Sequence, residues 1–307
     1  MTEIAVDRPA LILGASSLGA DPDTAEAAAL AMLRSGLLVD TSNGYAGGRS
    51  ERALGTALAT MEAAERDAAA SRILTKVDRD PETGVFDGDR VRRSFEESLE
   101  RLGVDRLPLL HLHDPYTITV EEALAPGGAV EALVELKQDG LVDAIGIAAG
   151  PVPLLQRYVD SGLFDAVLCH NRFTLVDDSA RSLYEAAHDR GMTVFNAAPF
   201  GGDLLVKGAR ADARYEYRPI GDDLAAWTAE LFRVCADHGV PPAAVALRFS
   251  TRSPLVDHTV VGVSSPARIE QLRALDAAAI PEGVWADLAA LGPAPSPVDD
   301  SRYGASA

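Results

Sequence analysis

Residues 107–113 read LPLLHLH, an apolar run interrupted by a proline and two histidines. A strand with one wet face alternates apolar and polar residues. A nearly continuous run is covered on both faces, as in a parallel sheet packed under helices. Seven further strand-like runs lie near 11–14 (LILG), 37–42 (LLVDTS), 72–77 (RILTKV), 143–148 (DAIGIA), 165–170 (DAVLCH), 192–197 (MTVFNA) and 258–263 (HTVVGV). Helical patterns separate them. Asp21 with Pro22 opens the first helix and Gly36 closes it, while Ser50 is placed to cap the second. Residues 94–102 carry apolar side chains at 95, 99 and 102 and stop at Gly103. Gly140, Gly162, Gly191 and Gly239 likewise follow helical segments.

Eight strands in β/α alternation imply an α/β protein with a parallel sheet, and eight is the number that closes a (β/α)8 TIM barrel. The alternative, a doubly wound open sheet, calls for a Gly-x-Gly-x-x-Gly after the first strand, and none is there. One barrel domain over 1–307 is expected. The stretch 199–221 reads as a long glycine-rich loop on the catalytic face, suited to covering a cofactor or substrate. The tail from about Pro293, PAPSPVDDSRYGASA, reads as mobile.

Composition narrows the function classes. The 307 residues are 47% hydrophobic with a net charge of -18. That excludes a disordered chain and speaks against nucleic acid or an anionic membrane as partner. No apolar run reaches the roughly 18 residues of a membrane span. The opening MTEIAVDRPA lacks the basic region of a signal peptide. Cys169 and Cys235 are far apart and without metal spacing, which fits buried thiols in a reducing cytoplasm. A monomer or small homo-oligomer is compatible with this acidic surface.

Asp40, Tyr45, Lys76 and His113 each fall at or just past the end of a different strand. In a closed parallel barrel those ends share one mouth. A free phenol has a pKa near ~10, too high for proton exchange at neutral pH. A neighbouring ammonium favours the phenolate. Lys76 is therefore expected to lower Tyr45, with Asp40 holding Lys76 charged and His113 meeting the substrate oxygen. The set suits carbonyl reduction with Tyr45 as general acid, or alcohol oxidation with Tyr45 as general base. No side chain supplies a hydride, so a cofactor must. Taken singly, each residue also reads as a loop cap, a rim aromatic or a solvated lysine.

His111 and His113 lie two apart on one strand and face the same side. A metal pair is the competing reading, with His170 as a third ligand at the sixth strand end. His258 starts its strand rather than ending it, and His188 and His238 fall in helices, so ligands run short and no metal is expected.

The stretch 37–55, LLVDTSNGYAGGRSERALG, resembles the aldo/keto reductase signature of Asp-Thr, a Tyr five residues after the Asp, Ser-Glu and Leu-Gly. The TKV at Lys76, SFEESLERLGVD at 94–105, HLHDP, CHNRFTLVD at 169–177, APFGGDLL at 198–205 and VVGVSSPARIEQL at 260–272 resemble further family segments. The HDP, the RFTLVD and the YEYRP near 215 are similar to one branch, with D-threo-aldose 1-dehydrogenases, L-fucose dehydrogenases and pyridoxal 4-dehydrogenases. The resemblance implies oxidation of a sugar hemiacetal or alcohol with NAD or NADP. It implies the catalytic roles given above. It places the pyrophosphate along Phe200, Gly201, Gly202 and Leu204, and the adenosine end near Gly262, Val263, Ser264 and Arg268.

The chain departs from the pattern in several places. Ala148 and Ala149 stand where the family has Ser-Asn, leaving Asn171 or His170 to hold the nicotinamide amide. Ala197 replaces a stacking tyrosine, with Phe200 the nearest aromatic. Ser264 stands where a cation would meet a 2′-phosphate, which favours NAD, although Arg268 is near enough in sequence to serve NADP. A catalytically weak cofactor-binding barrel and a metal-dependent hydrolase are the other two readings of the chain.

Overall fold

The computed structural model describes residues 11–216 and 218–304. Its barrel strands are β1 (Leu11–Gly14), β2 (Leu38–Asp40), β3 (Ile73–Val77), β4 (Leu107–His113), β5 (Val142–Ala149), β6 (Ala166–His170), β7 (Thr193–Ala197) and β8 (His258–Gly262). The eight form a closed barrel in the order β1-β8-β7-β6-β5-β4-β3-β2, each pair parallel. Every strand overlaps its expected run, and helices connect them as the alternation required. Among the described residues no helix is long and apolar enough to cross a membrane.

Alternation along the strands explains how the mouth is furnished. Ile12, Leu38, Leu74, Leu109, Ala144, Ala166, Phe195 and Val260 pack against one another as the lumen core. The intervening residues pack outward against the helices in a second, larger core. Side chains two apart share a face. Asp40 therefore follows Leu38 into the lumen, Lys76 follows Leu74, and His111 and His113 follow Leu109. His170 follows Leu168, and Ala197 follows Phe195. His111 fits because Gly146 on the neighbouring strand has no Cβ to meet its ring.

The first helix, Pro22–Arg34, is capped as expected: the Asp21 carboxylate accepts from the Asp23 amide at 3.1 Å, and Gly36 turns the chain with φ +80°. Ser50 corrects the second expectation. The helix Arg49–Ala59 starts two residues earlier, behind Gly48, and no side chain caps it. The Ser50 hydroxyl instead donates to the Ala15 carbonyl at 3.0 Å and pairs with Thr41 at 2.8 Å, pinning this helix to the strand ends.

One long segment also differs from expectation. The stretch 199–221 is not one open loop: it holds a short helix, Leu204–Lys207, and a hairpin pairing Arg214–Tyr215 with Arg218–Pro219. The described residues of the tail beyond Pro293 contact the barrel. Asp300 accepts from Arg172 at 2.7 Å and from the Val152 amide at 3.0 Å, and Tyr303 lies 5.7 Å from the Tyr116 ring. The Arg172 side chain is only 2% exposed and pairs on its other side with Glu216. A buried guanidinium left short of a carboxylate is costly. Asp300→Ala is expected to lose about 2–4 kcal/mol in urea denaturation. A wild-type midpoint and slope would show that the clamp contributes nothing.

Candidate active site

The loop leaving β2 is tied down residue by residue. The Thr41 amide donates to the Leu74 carbonyl at 2.9 Å and the Asn43 amide to the Lys76 carbonyl at 3.0 Å. The Asn43 side chain donates to Glu97 and to the Ser94 carbonyl, both at 3.0 Å, and accepts from Arg90 at 3.2 Å. Three consecutive residues, Ala46, Gly47 and Gly48, then take φ of +52°, +64° and +78°. This left-handed reversal is cheap for glycine, and at Gly48 any side chain would collide with the Arg101 guanidinium. Arg101 itself bonds the Asn43 carbonyl at 2.9 Å and the fully buried Glu51 at 3.2 Å. The result fixes Tyr45 over the barrel mouth.

At the floor of the mouth the Lys76 ammonium donates to Asp40 at 2.7 Å, to the Thr41 carbonyl at 2.7 Å and to the Tyr45 hydroxyl at 3.2 Å. Burial alone would pull Lys76 down, but the charge of Asp40 and the contact with Tyr45 hold it above its ordinary value. The expected lowering of Tyr45 is corrected. Lys76 does draw the phenol down, yet burial outweighs it and the charge of Asp40 adds to burial, so Tyr45 is pushed up to about 12.

His113 sits edge-on to Tyr45, with rings 5.6 Å apart at 87°. Its Nδ1 contacts Asp78 at 2.8 Å and the Ser42 hydroxyl at 3.2 Å. Asp78 also accepts from Ser42 and, at 2.7 Å, from the Gly44 amide. Burial lowers His113, but Asp78 and Asp114 more than restore it, so it stands above its ordinary value. Burial raises Asp78, and the charge and hydrogen bond of His113 bring it below the usual carboxylate range. The sequence reading missed Asp78. It follows Lys76 by two residues, on the same face, and that spacing was the available signal. His111, by contrast, is held neutral by burial and packs against Phe195 with rings 5.6 Å apart. Among the described residues no group of three His, Cys, Asp or Glu is placed to hold a metal ion.

These side chains line a cavity of about 640 Å³. Asp40, Tyr45, Lys76 and His113 share its wall with His170, Asn171, Phe200, Gly202, Gly262 and Arg268. The other residues expected along a cofactor are not in that wall. Leu204 and Val263 are buried in the outer core, Gly201 presses on the Tyr215 ring, and Ser264 is exposed. Ser16, Asp203 and Lys207 line the cavity without having been foreseen. Ala148 lines it too, whereas Ala149 lies in the outer core.

The wall fits a nicotinamide dinucleotide. Asn171 Oδ1 is buried with no hydrogen-bond partner among the described residues, and a carboxamide NH2 would satisfy it. The helix Pro266–Asp276 begins beside Gly262, and amides at such an end suit phosphate.

The family model for aldo/keto reductases matches residues 10–292, and the chain belongs to that family. It is an NAD(P)-dependent oxidoreductase. It is 33% identical to the D-threo-aldose 1-dehydrogenase of Pseudomonas sp, over 94% of this chain and 95% of that protein. It is 28% identical to the L-galactose dehydrogenase of Arabidopsis thaliana, over 84% and 81% respectively. An aldo-keto reductase from Bacillus halodurans shares the fold, with a TM-score of 0.74 at 20% identity over 93% of each chain.

The His113–Asp78 contact makes a pH prediction. Because Asp78 favours the imidazolium, Asp78→Asn should move the His113 titration to lower pH, read by ¹H–¹⁵N NMR of the ring. An unchanged midpoint would mean that the pair does not carry the proton.

Proposed function

We propose that this chain oxidises the anomeric hydroxyl of an aldose, or a related alcohol, and runs the carbonyl reduction in reverse. The observation that carries the reading is the Lys76 ammonium bonded at once to Asp40 and to the Tyr45 hydroxyl on the cavity floor. In oxidation the substrate O–H proton passes to the Tyr45 phenolate. In reduction the Tyr45 hydroxyl returns it to the forming alkoxide. Lys76 stabilises the phenolate at contact distance, and Asp40 keeps Lys76 charged. With Nδ1 engaged by Asp78, His113 is left with Nε2 to donate to the substrate oxygen. A bound nicotinamide supplies the hydride acceptor or donor.

Asn171 would hold the carboxamide, Phe200 would pack on the cofactor, and Gly202, Gly262 and Arg268 would follow its phosphates and adenosine. NAD is the preferred cofactor on this reading. Ser264 offers no cation, and Arg268 already donates to Gln271 at 2.9 Å. Initial rates with each cofactor should give the lower KM for NAD, and Ser264→Arg should narrow the gap. A lower KM for NADP in the unaltered protein would reverse the assignment.

The raised Tyr45 fixes the sign of the pH dependence. A phenol near 12 is protonated through the neutral range, so the acid form needed for reduction is abundant. The base form needed for oxidation is scarce and grows with pH. Oxidative kcat/KM should therefore climb between about pH 7 and 10, while reduction shows no matching rise. Tyr45→Phe should lower kcat by about 100- to 10,000-fold with cofactor binding by fluorescence unchanged. Full turnover in that variant would remove Tyr45 from the chemistry.

A further inference from the structure

Next to the main cavity, sharing Asp114 and His170 with it, lies a side pocket of about 230 Å³, lined also by Glu216 and Arg218 of the hairpin and by Asp299, Asp300, Arg302 and Tyr303 of the tail. Its charges are paired off in an instructive way. Arg172 is held between Glu216 and Asp300. Asp299 feels Arg218 and Arg302. Asp114 belongs to both the main cavity and the side pocket, with the Tyr116 hydroxyl beside it. Its Oδ2 lies 3.7 Å from His113 Nε2 and its Oδ1 3.8 Å from His170 Nε2. Both are beyond hydrogen-bond reach. Oδ1 is buried with no partner among the described residues.

Three facts define what Asp114 lacks. Burial raises its pKa, but the charge of His113 and the proximity of His170 bring it well below the usual carboxylate range, so it accepts and does not donate. The charge of His113 faces it and the Tyr116 hydroxyl lies against it, yet Oδ1 is left without a donor. Its backbone takes φ +45°, a left-handed conformation that a non-glycine residue adopts at a cost.

We infer that Asp114 is the acceptor for the substrate hydroxyl on the carbon next to the reacting one, and that it selects hydroxylated substrates over plain alcohols and aldehydes. The inference rests on the proposed aldose-oxidising function. It follows from position. His113 Nε2 meets the reacting oxygen, and Asp114 is the next acceptor along the wall. A vicinal hydroxyl would satisfy its buried oxygen, and a substrate without one would leave that oxygen unpaired in the complex.

The test is a comparison of substrate pairs. L-Fucose with 2-deoxy-L-fucose, and D-arabinose with 2-deoxy-D-ribose, differ only at that hydroxyl. The unaltered protein should favour the hydroxylated member by about 10- to 100-fold in kcat/KM. Asp114→Gly keeps the left-handed backbone without strain and should reduce the preference to about threefold or less. Asp114→Asn, which still accepts but carries no charge, should fall between. An effect transmitted through His113 would slow both members of a pair alike and leave their ratio intact, and that outcome overturns the inference. So does an unaltered protein that oxidises both members equally well. Absence of turnover with every sugar, with NAD and with NADP, would instead sink the proposed function itself.

Discussion

A buried ammonium bonded to a buried carboxylate is the constraint on which the mouth of this barrel is built. The side chains of Lys76 and Asp40 are 1% and 5% exposed, directly above the apolar lumen layer of Leu38 and Leu74. Removing either charge from water costs several kcal/mol, and the pair persists only where geometry returns that cost. Here β2 and β3 pair Asp40 with Leu74, one step from Lys76, so the two groups arrive side by side without bending either strand. The Thr41 carbonyl takes a second ammonium proton, which leaves the third for Tyr45. The phenol is thus placed by the ion pair's unmet valence, and the loop from Asn43 to Gly48 only has to deliver it there.

That delivery concentrates strain at the open end of the sheet. Asp114, Asn171 and Ala198 directly follow β4, β6 and β7, and all three have positive φ, at +45°, +59° and +58°. Each turns the chain sharply as it leaves its strand, so that the residue after the strand still faces the cavity. Non-glycine residues held in this region cost energy that the surrounding core must offset. The closed barrel and its two packed apolar layers hold the strand ends from which these turns leave.

The fold was legible because its signal is local. The apolar runs predict the strands, and a period of two then determines which strand-end residues enter the lumen. Asp40, Lys76, His113 and His170 follow from that rule, and Tyr45 from its distance to Asp40. What escaped reading depends on contacts across sequence. Asp78 reaches His113 from a neighbouring strand end, and Arg172 meets Asp300 from 128 residues away. Leu204 lies in a segment without a fixed period, so sequence could not tell that it points into the core, whereas Val263, two residues after the outward Val261, obeys the strand period. The direction of the Tyr45 shift needed a quantity that no motif contains. It depends on how much water the folded mouth removes, weighed against one ammonium.

The two ends of the cavity are built on different principles. On the Arg268 side the wall includes Gly14, Gly202 and Gly262 and lies beside a helix start, features suited to phosphate. On the Asp114 side it is made of charged side chains from three distant segments, β4, the hairpin and the tail, cross-braced through Arg172. A change in the hairpin or tail alters the shape and charge of the side pocket while the Lys76–Asp40 pair, several residues deep in the lumen, keeps its partners. The docked tail is therefore more than packing. It supplies Asp299, Asp300, Arg302 and Tyr303 to the wall of the side pocket that shares Asp114 with the main cavity.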